Sequence, residues 1–146
     1  MIRAFNYLAA FALLSATAPS AALAADSGRP LSAHLTGAAE KPTPGDTDGA
    51  GQASFHVNVG QSEVCYELMV EKIAASTMAH IHKAGPDAAG PVAIPLTAPD
   101  ASGKSSGCAK ADATVVKDIL QNPGAYYVNV HNAEFPAGAV RGQLTK

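Results

Sequence analysis

The sequence has no long apolar run after its first 24 residues, no block of basic residues and only two cysteines. Without about 18 consecutive apolar residues, no membrane-spanning helix is predicted beyond the N-terminal segment. The 10 basic and 12 acidic residues are scattered along the chain, so nucleic acid and anionic membrane surfaces are not expected partners. These absences exclude the classes of nucleic-acid-binding protein and multi-span membrane protein.

Residues 1–24 have the pattern of a secretory signal peptide. Arg3 gives a positive start, residues 8–14 form an apolar stretch, and residues 22–24 (Ala-Leu-Ala) give a small-x-small cleavage pattern. Such a segment is removed on export. We therefore predict cleavage after residue 24, a single domain over residues 25–146, no membrane span after cleavage, and a periplasmic or secreted location.

The two cysteines, Cys65 and Cys108, have no third cysteine to compete with them. A secreted chain with two cysteines most simply pairs them in a disulfide. In the chain-entropy model, closing the loop between them stabilises the fold by about 3–4 kcal/mol. The alternative is that both cysteines are free buried thiols, which is less expected for a protein in an oxidising compartment.

Alternation of apolar and polar residues predicts short β-strands. It is clearest over residues 52–59 and 63–72, whose inward sets are Ala53, Phe55, Val57 and Val59, and Val64, Tyr66, Leu68 and Val70. Further strands are predicted over residues 31–36, 78–83, 91–96, 126–131 and 139–145. About seven short strands at this spacing indicate an all-β, antiparallel sandwich.

One helix is predicted over residues 112–121 as a crossover between strands. Asp112 is a suitable N-cap, Asn122-Pro123 a suitable end, and the apolar stripe consists of Val115, Val116, Ile119 and Leu120.

His80 and His82 share one face of the strand predicted over residues 78–83. Residues i and i+2 of a strand lie about 6.6 Å apart on the same face, so the two imidazoles can converge on one metal ion at about 2.0–2.1 Å per bond. A hydrogen-bonded polar face without metal is the alternative interpretation. His34 and His56 stand singly on other strands and are interpreted as surface histidines.

No catalytic residue is assigned. Glu134 lies in a Gly/Pro-rich loop, where a solvated carboxylate is the expected state. Arg141 is expected to pair with a neighbouring carboxylate or carbonyl. The segment GPDAAGP lacks the lysine of a phosphate-binding loop, and the sequence has no nucleophile-elbow motif for serine hydrolysis.

Three segments together resemble the CHRD domain, a module named after chordin and found in many secreted bacterial proteins. They are LTGAAEKPTP, AHIHKAGPDAAGPVAIPL and NPGAYYVNVHNAEFPAGAVRGQL, and the resemblance spans Leu31 to Leu144. It implies a Greek-key β-sandwich similar to copper-zinc superoxide dismutase. Two positions depart from the family pattern: Ala39 replaces a frequent Gln, and Ala139 replaces a frequent Glu beside Arg141.

The resemblance also implies a third ligand, because the family motif contains both H-x-H and NVH. We therefore expect His131 to join His80 and His82 around one ion, with Tyr127 and Asn129 orienting His131. Imidazole clusters suit copper, zinc or nickel. Copper is favoured because copper-zinc superoxide dismutase also uses an H-x-H strand, and zinc is the alternative.

Three hypotheses for function follow. The first is a non-enzymatic module that binds a transition metal, copper by preference. The second is a metal-free structural or adhesive domain that recognises an extracellular protein or matrix partner. The third and weakest is a copper enzyme similar to superoxide dismutase, since the chain has too few histidines in the right order for a bridged copper-zinc site.

Overall fold

The structure, a computed structural model, describes residues 28–146, and the predicted signal peptide lies outside the described residues. The regular secondary structure of this part of the chain consists of eight strands, one short α-helix and two 3-10 turns, joined by loops. The elements are β1 (Arg29–Thr36), β2 (Ala50–Asn58), β3 (Glu63–Glu71), β4 (Ser76–Lys83), β5 (Val92–Leu96), β6 (Lys104–Lys110), α1 (Ala113–Gln121), β7 (Tyr126–Asn132) and β8 (Val140–Gln143).

The eight strands form one antiparallel sheet in the order β5-β4-β7-β8-β1-β2-β3-β6. The edge strands β5 and β6 contact each other without a hydrogen-bonded ladder, so the sheet curls into a nearly closed structure. Around the curled sheet, β4, β5 and β6 are neighbours in chain order, and β7 returns to lie on the other side of β4. This is the Greek-key order. The predicted all-β antiparallel architecture is confirmed, and the strands form one continuous sheet in which β1 is joined to the C-terminal segment through the pairs Thr36–Arg141 and Ser32–Thr145.

The core lies inside the curled sheet because the strands alternate with period two. In β3 all four residues predicted to face inward are buried, at 6% exposure or less. Of the inward set predicted over residues 52–59, Ala53, Phe55 and Val57 are buried, and Val59 is 38% exposed. Val59 follows the last residue of β2 and lies in the turn to β3, where alternation no longer decides which way a side chain points.

Helix α1 closes one side of this core. The Asp112 side chain accepts a hydrogen bond from the Thr114 amide at 2.8 Å, as an N-cap should. Val116 and Ile119 are fully buried, whereas Val115 and Leu120 are only partly buried. The helix ends before Asn122 and Pro123, so the predicted crossover is confirmed.

Strand β6 carries the second cysteine and was not predicted as a strand. Its residues, KSSGCAK, are exposed or half-buried and show no apolar alternation. It is nevertheless paired with β3 along seven positions, and Cys65 and Cys108 face each other in that register. The two cysteines form a disulfide, as predicted.

Within residues 28–146, no helix is long and apolar enough to cross a membrane.

Candidate metal centre

Strands β4 and β7 bring three histidines together on the outer face of the sheet. Ala79 and Ile81, which alternate with the histidines of β4, are fully buried in the core. In the β4–β7 register, His80 lies opposite Asn129 and its neighbour Met78 lies opposite His131. One ring nitrogen each from His80, His82 and His131 lies within 4.8 Å of the other two. Two ligands on opposite sides of a metal ion would be about 4 Å apart, so small ring rotations suffice to close the site.

The closest pair of ring nitrogens is His80 Nδ1 and His131 Nε2, which are 3.2 Å apart. At metal–nitrogen bonds of about 2.0–2.1 Å, this separation corresponds to a ligand–metal–ligand angle of about 100°. That angle lies between the square-planar and tetrahedral values. Without a metal, the same distance suits one imidazole N–H donating to the other ring.

His82 is held in one tautomer by a loop residue. Its Nδ1 lies 2.9 Å from the Gly90 carbonyl oxygen, and because a carbonyl only accepts, Nδ1 carries the proton. The lone pair is therefore on Nε2, which is buried without a hydrogen-bond partner. Gly90 has to be glycine for this approach, since a Cβ there would lie 2.0 Å from the Lys83 carbonyl oxygen.

His131 is held in the same way. Its Nδ1 donates to the Pro136 carbonyl oxygen at 3.0 Å, which leaves the Nε2 lone pair facing His80. A backbone carbonyl bound to the other ring nitrogen is the usual arrangement behind a metal-bound histidine, because it fixes both the tautomer and the orientation of the ring.

Burial lowers the pKa of all three imidazoles below the usual value of 6.5. Desolvation is the largest cause for His80, His82 and His131 alike. The neighbouring histidines lower the pKa of His80 further, and hydrogen bonding to Gly90 and Pro136 partly raises those of His82 and His131. The rings are therefore neutral near pH 7, which is the form that binds a metal ion.

Tyr127 supports His82. The ring of Tyr127, which the sequence assigns to the orientation of His131, lies parallel to that of His82, with centroids 4.9 Å apart. The Tyr127 hydroxyl also accepts a hydrogen bond from the Gly90 amide at 3.2 Å. One tyrosine thus positions both His82 and the loop carbonyl that fixes its tautomer.

Arg141 lies behind Tyr127 and is 1% exposed. Its guanidinium donates to the carbonyl oxygens of Ala88 at 2.9 Å and Gly85 at 2.8 Å. These are the backbone carbonyls of the loop that ends at Gly90, so the expected pairing with a carbonyl is found. Arg141 ties the β4–β5 loop to β8.

A buried carboxyl group, which sequence reasoning did not single out, lies near Arg141. Glu40 is 2% exposed, and its Oε1 has no hydrogen-bond partner. Desolvation raises its pKa to about 7, against the lowering effects of Arg141 and Asn129. Asn129 also raises the pKa of His82, so its amide lies between the buried carboxyl and the histidines. Ala139 removes one carboxylate from this region, and Glu40 supplies another.

The remaining sequence candidates lie apart from the centre. His34 and His56 are exposed on β1 and β2, and Glu134 is exposed in the loop after β7. Glu63 lies near both cysteines, but their sulfur atoms are committed to the disulfide.

Comparison with known proteins gives one match. The sequence model of the CHRD domain matches residues 31–144. No curated protein matches the chain, and no solved structure matches it, superoxide dismutase included.

Proposed function

The chain belongs to the CHRD domain family, and from this premise we propose that it is a non-enzymatic, exported module that binds one transition-metal ion through His80, His82 and His131. Copper is the favoured ion and zinc the alternative. The proposal rests on one observation above the others: two of the three imidazoles have their Nδ1 proton fixed on a backbone carbonyl, which leaves the Nε2 lone pair of each ring as the atom that can bind a metal ion.

Three features of the site support metal binding over a simple polar face. In a simple polar face, a buried ring nitrogen would make a hydrogen bond of normal geometry. The Nε2 of His82 is buried without one, although the Asn129 side chain is close enough to affect the pKa of His82, and an unsatisfied nitrogen costs free energy. The rings are neutral, so no proton has to be displaced near pH 7. His80 is only half-buried, which leaves an entry path for the ion.

The donor set favours copper. Three imidazoles suit copper, zinc and nickel, and for a given nitrogen site the divalent affinities rise to copper and then fall at zinc. A three-histidine site also leaves a coordination position open.

An exported location is part of the proposal. The signal-peptide pattern of residues 1–24 predicts it, and the Cys65–Cys108 disulfide supports it because disulfides persist in oxidising compartments.

The test is metal-dependent stability. Cu(II) and Zn(II) are titrated into metal-free protein while thermal unfolding is followed, for wild type, His80→Ala, His131→Ala and His56→Ala. An ion that binds the folded state raises the melting temperature by mass action. We expect the rise in wild type and in the His56→Ala control, and a weaker or absent rise in the two site variants.

A melting curve that neither ion moves, in wild type or in any variant, would reject the metal site. The metal-free adhesive domain would then be the better hypothesis. The enzymatic alternative is tested on the copper-loaded protein by its rate of superoxide dismutation, which we expect to equal that of the His80→Ala/His82→Ala variant.

A further inference from the structure

A methionine lies beside the histidine cluster on the same face of the sheet. Met78 is two residues before His80 on β4, and the intervening Ala79 points into the core. Successive side chains of a strand point to opposite faces. Met78 therefore points to the side on which His80 and His82 lie.

The register brings Met78 next to His131. The two residues are direct partners in the β4–β7 pair, and the irregularity in this pair lies before Met78, not between it and the histidines. Directly opposed residues of an antiparallel pair have Cβ atoms about 4.5–5.5 Å apart on one face. A methionine side chain, with three rotatable bonds, spans this distance easily.

Met78 is also accessible from the solvent. Its side chain is 47% exposed, although a methionine contributes most to stability when buried. On this face of β4, His80 lies between Met78 and His82, and it is the most exposed of the three proposed ligands. Met78 is thus the neighbour on this face of the most exposed proposed ligand and the register partner of another, from where its flexible side chain can turn towards the coordination position left by three imidazoles.

A thioether changes which ion the site prefers. Soft sulfur ligands select Cu(I), whereas Zn(II) and Cu(II) are well served by imidazole alone. A thioether carries no proton to displace, so its contribution does not depend on pH, unlike that of an imidazole.

We propose that Met78 supplies a thioether as the fourth ligand, which makes the centre a His-His-His-Met site selective for Cu(I). This inference rests on the proposed metal-binding function and extends it to the oxidation state of the ion. The protein then binds copper in its reduced form, as a carrier or buffer of Cu(I) does.

The test compares Met78→Leu with Met69→Leu. Leucine keeps the size and apolarity of methionine but has no sulfur, and Met69 is a matched control because it is 53% exposed on β3, away from the centre. Cu(I) affinity is measured without oxygen by competition with a coloured cuprous chelator, and Zn(II) affinity by competition with a zinc indicator. X-ray absorption of the Cu(I) protein reports whether sulfur is bound to copper.

We expect Met78→Leu to weaken Cu(I) binding by about tenfold or more and to leave Zn(II) binding within about twofold of wild type. The copper–sulfur signal should be present in wild type and Met69→Leu and lost in Met78→Leu. Unchanged Cu(I) affinity, an equal loss for both ions, or a sulfur signal that survives in Met78→Leu would overturn the inference.

The His80→Ala/His82→Ala variant separates this inference from the function on which it rests. If that variant loses both ions while Met78→Leu behaves as wild type, the histidine site stands and the thioether ligand is rejected. If the wild type itself binds neither ion, the proposed function fails, and the role of Met78 with it.

Discussion

The guanidinium carbon of Arg141 lies 3.4 Å from the centre of the Tyr127 ring. Tyr127 is on β7, between β8, which carries Arg141, and β4, which carries His82. A cation over an aromatic face is attracted by the ring, and the same ring is stacked with His82. The position of one proposed ligand therefore depends on a buried cation two strands away.

The first prediction concerns Arg141→Met. The change leaves the carbonyl oxygens of Gly85 and Ala88 without their donor, so we expect a loss of about 2–4 kcal/mol in the free energy of unfolding. Metal affinity should fall as well, because the loop that presents Gly90 to His82 loses its attachment. Chemical denaturation and metal titration measure the two effects.

Lys110→Met is the matched control for Arg141→Met. Lys110 also donates to a carbonyl, that of Gln61 at 3.0 Å, and pairs with Glu63 at 3.1 Å, but its side chain is 67% exposed. Exposed pairs contribute about 0–1 kcal/mol. Similar losses in the two variants would contradict a special role for Arg141.

The second prediction concerns Glu40. Its pKa is raised from 4.5 to about 7 in the folded state, so the folded protein binds a proton more tightly than the unfolded chain does. The stabilisation from this group is fully present below pH 4.5 and is lost as the pH rises through about 7. Across this pH window, the free energy of unfolding of Glu40→Gln should therefore rise relative to that of the wild type by up to about 3 kcal/mol. Urea denaturation at several pH values measures the difference, and the exposed Glu71→Gln should show no such gain.

The third prediction concerns the histidines and has the opposite sign. Their folded-state pKa values lie below 6.5, so their contribution to the stability of the metal-free protein is present above that pH. It is lost as the pH falls from 6.5 towards the lowered values.

The pH dependence of metal affinity should follow the same lowered pKa values of the histidines. Protons compete for the ring nitrogens only below the folded-state pKa, so affinity should stay nearly constant down to about pH 6.5 and decline below it. Metal titration at a series of pH values tests this. An affinity that already declines above the pKa of free histidine would be the contrary result.

The fourth prediction concerns the disulfide. Replacing both Cys65 and Cys108 by alanine should cost about 2–5 kcal/mol, and the amides of the edge strand β6 should lose protection from hydrogen exchange first. Metal affinity should not change, because β3 and β6 are paired with each other and neither is paired with β4 or β7, the strands that carry the three histidines. Ser106→Ala, an exposed change on the same strand, should stay within about 0.5 kcal/mol of wild type.

The strands that could be predicted from the sequence are those with one face buried in the core. The alternation in β3 predicted Val64, Tyr66, Leu68 and Val70 as core residues, and all four are buried. Strand β6 was not predicted, because an edge strand that is held by a neighbouring strand and a disulfide needs no apolar alternation. Its only sequence signal was Cys108, which shows that something must lie opposite Cys65 but not that it is a strand.

The candidate site was predictable as far as strand periodicity and the family resemblance reach. Period two placed His80 and His82 on one face, and the family motif pointed to His131. What could not be predicted are the contacts made by loops: Gly90 and Pro136 fix the imidazole tautomers through backbone carbonyls. A carbonyl is the same at every position, so no residue type marks it. Glu40 was missed because its burial depends on how the segment after β1 packs against Gly138.

Alternation along β4 has a consequence for how this protein can change. Each residue of the candidate site is one peptide unit away from a fully buried core residue, as His80 is from Ala79 and Ile81. Inserting a single residue within β4 would turn every later side chain to the opposite face, so that an imidazole would enter the core and an isoleucine would meet the solvent. The ion that this face accepts can therefore be altered by exchanging side chains one at a time, whereas an insertion or deletion of one residue within the strand disrupts the site and the core together.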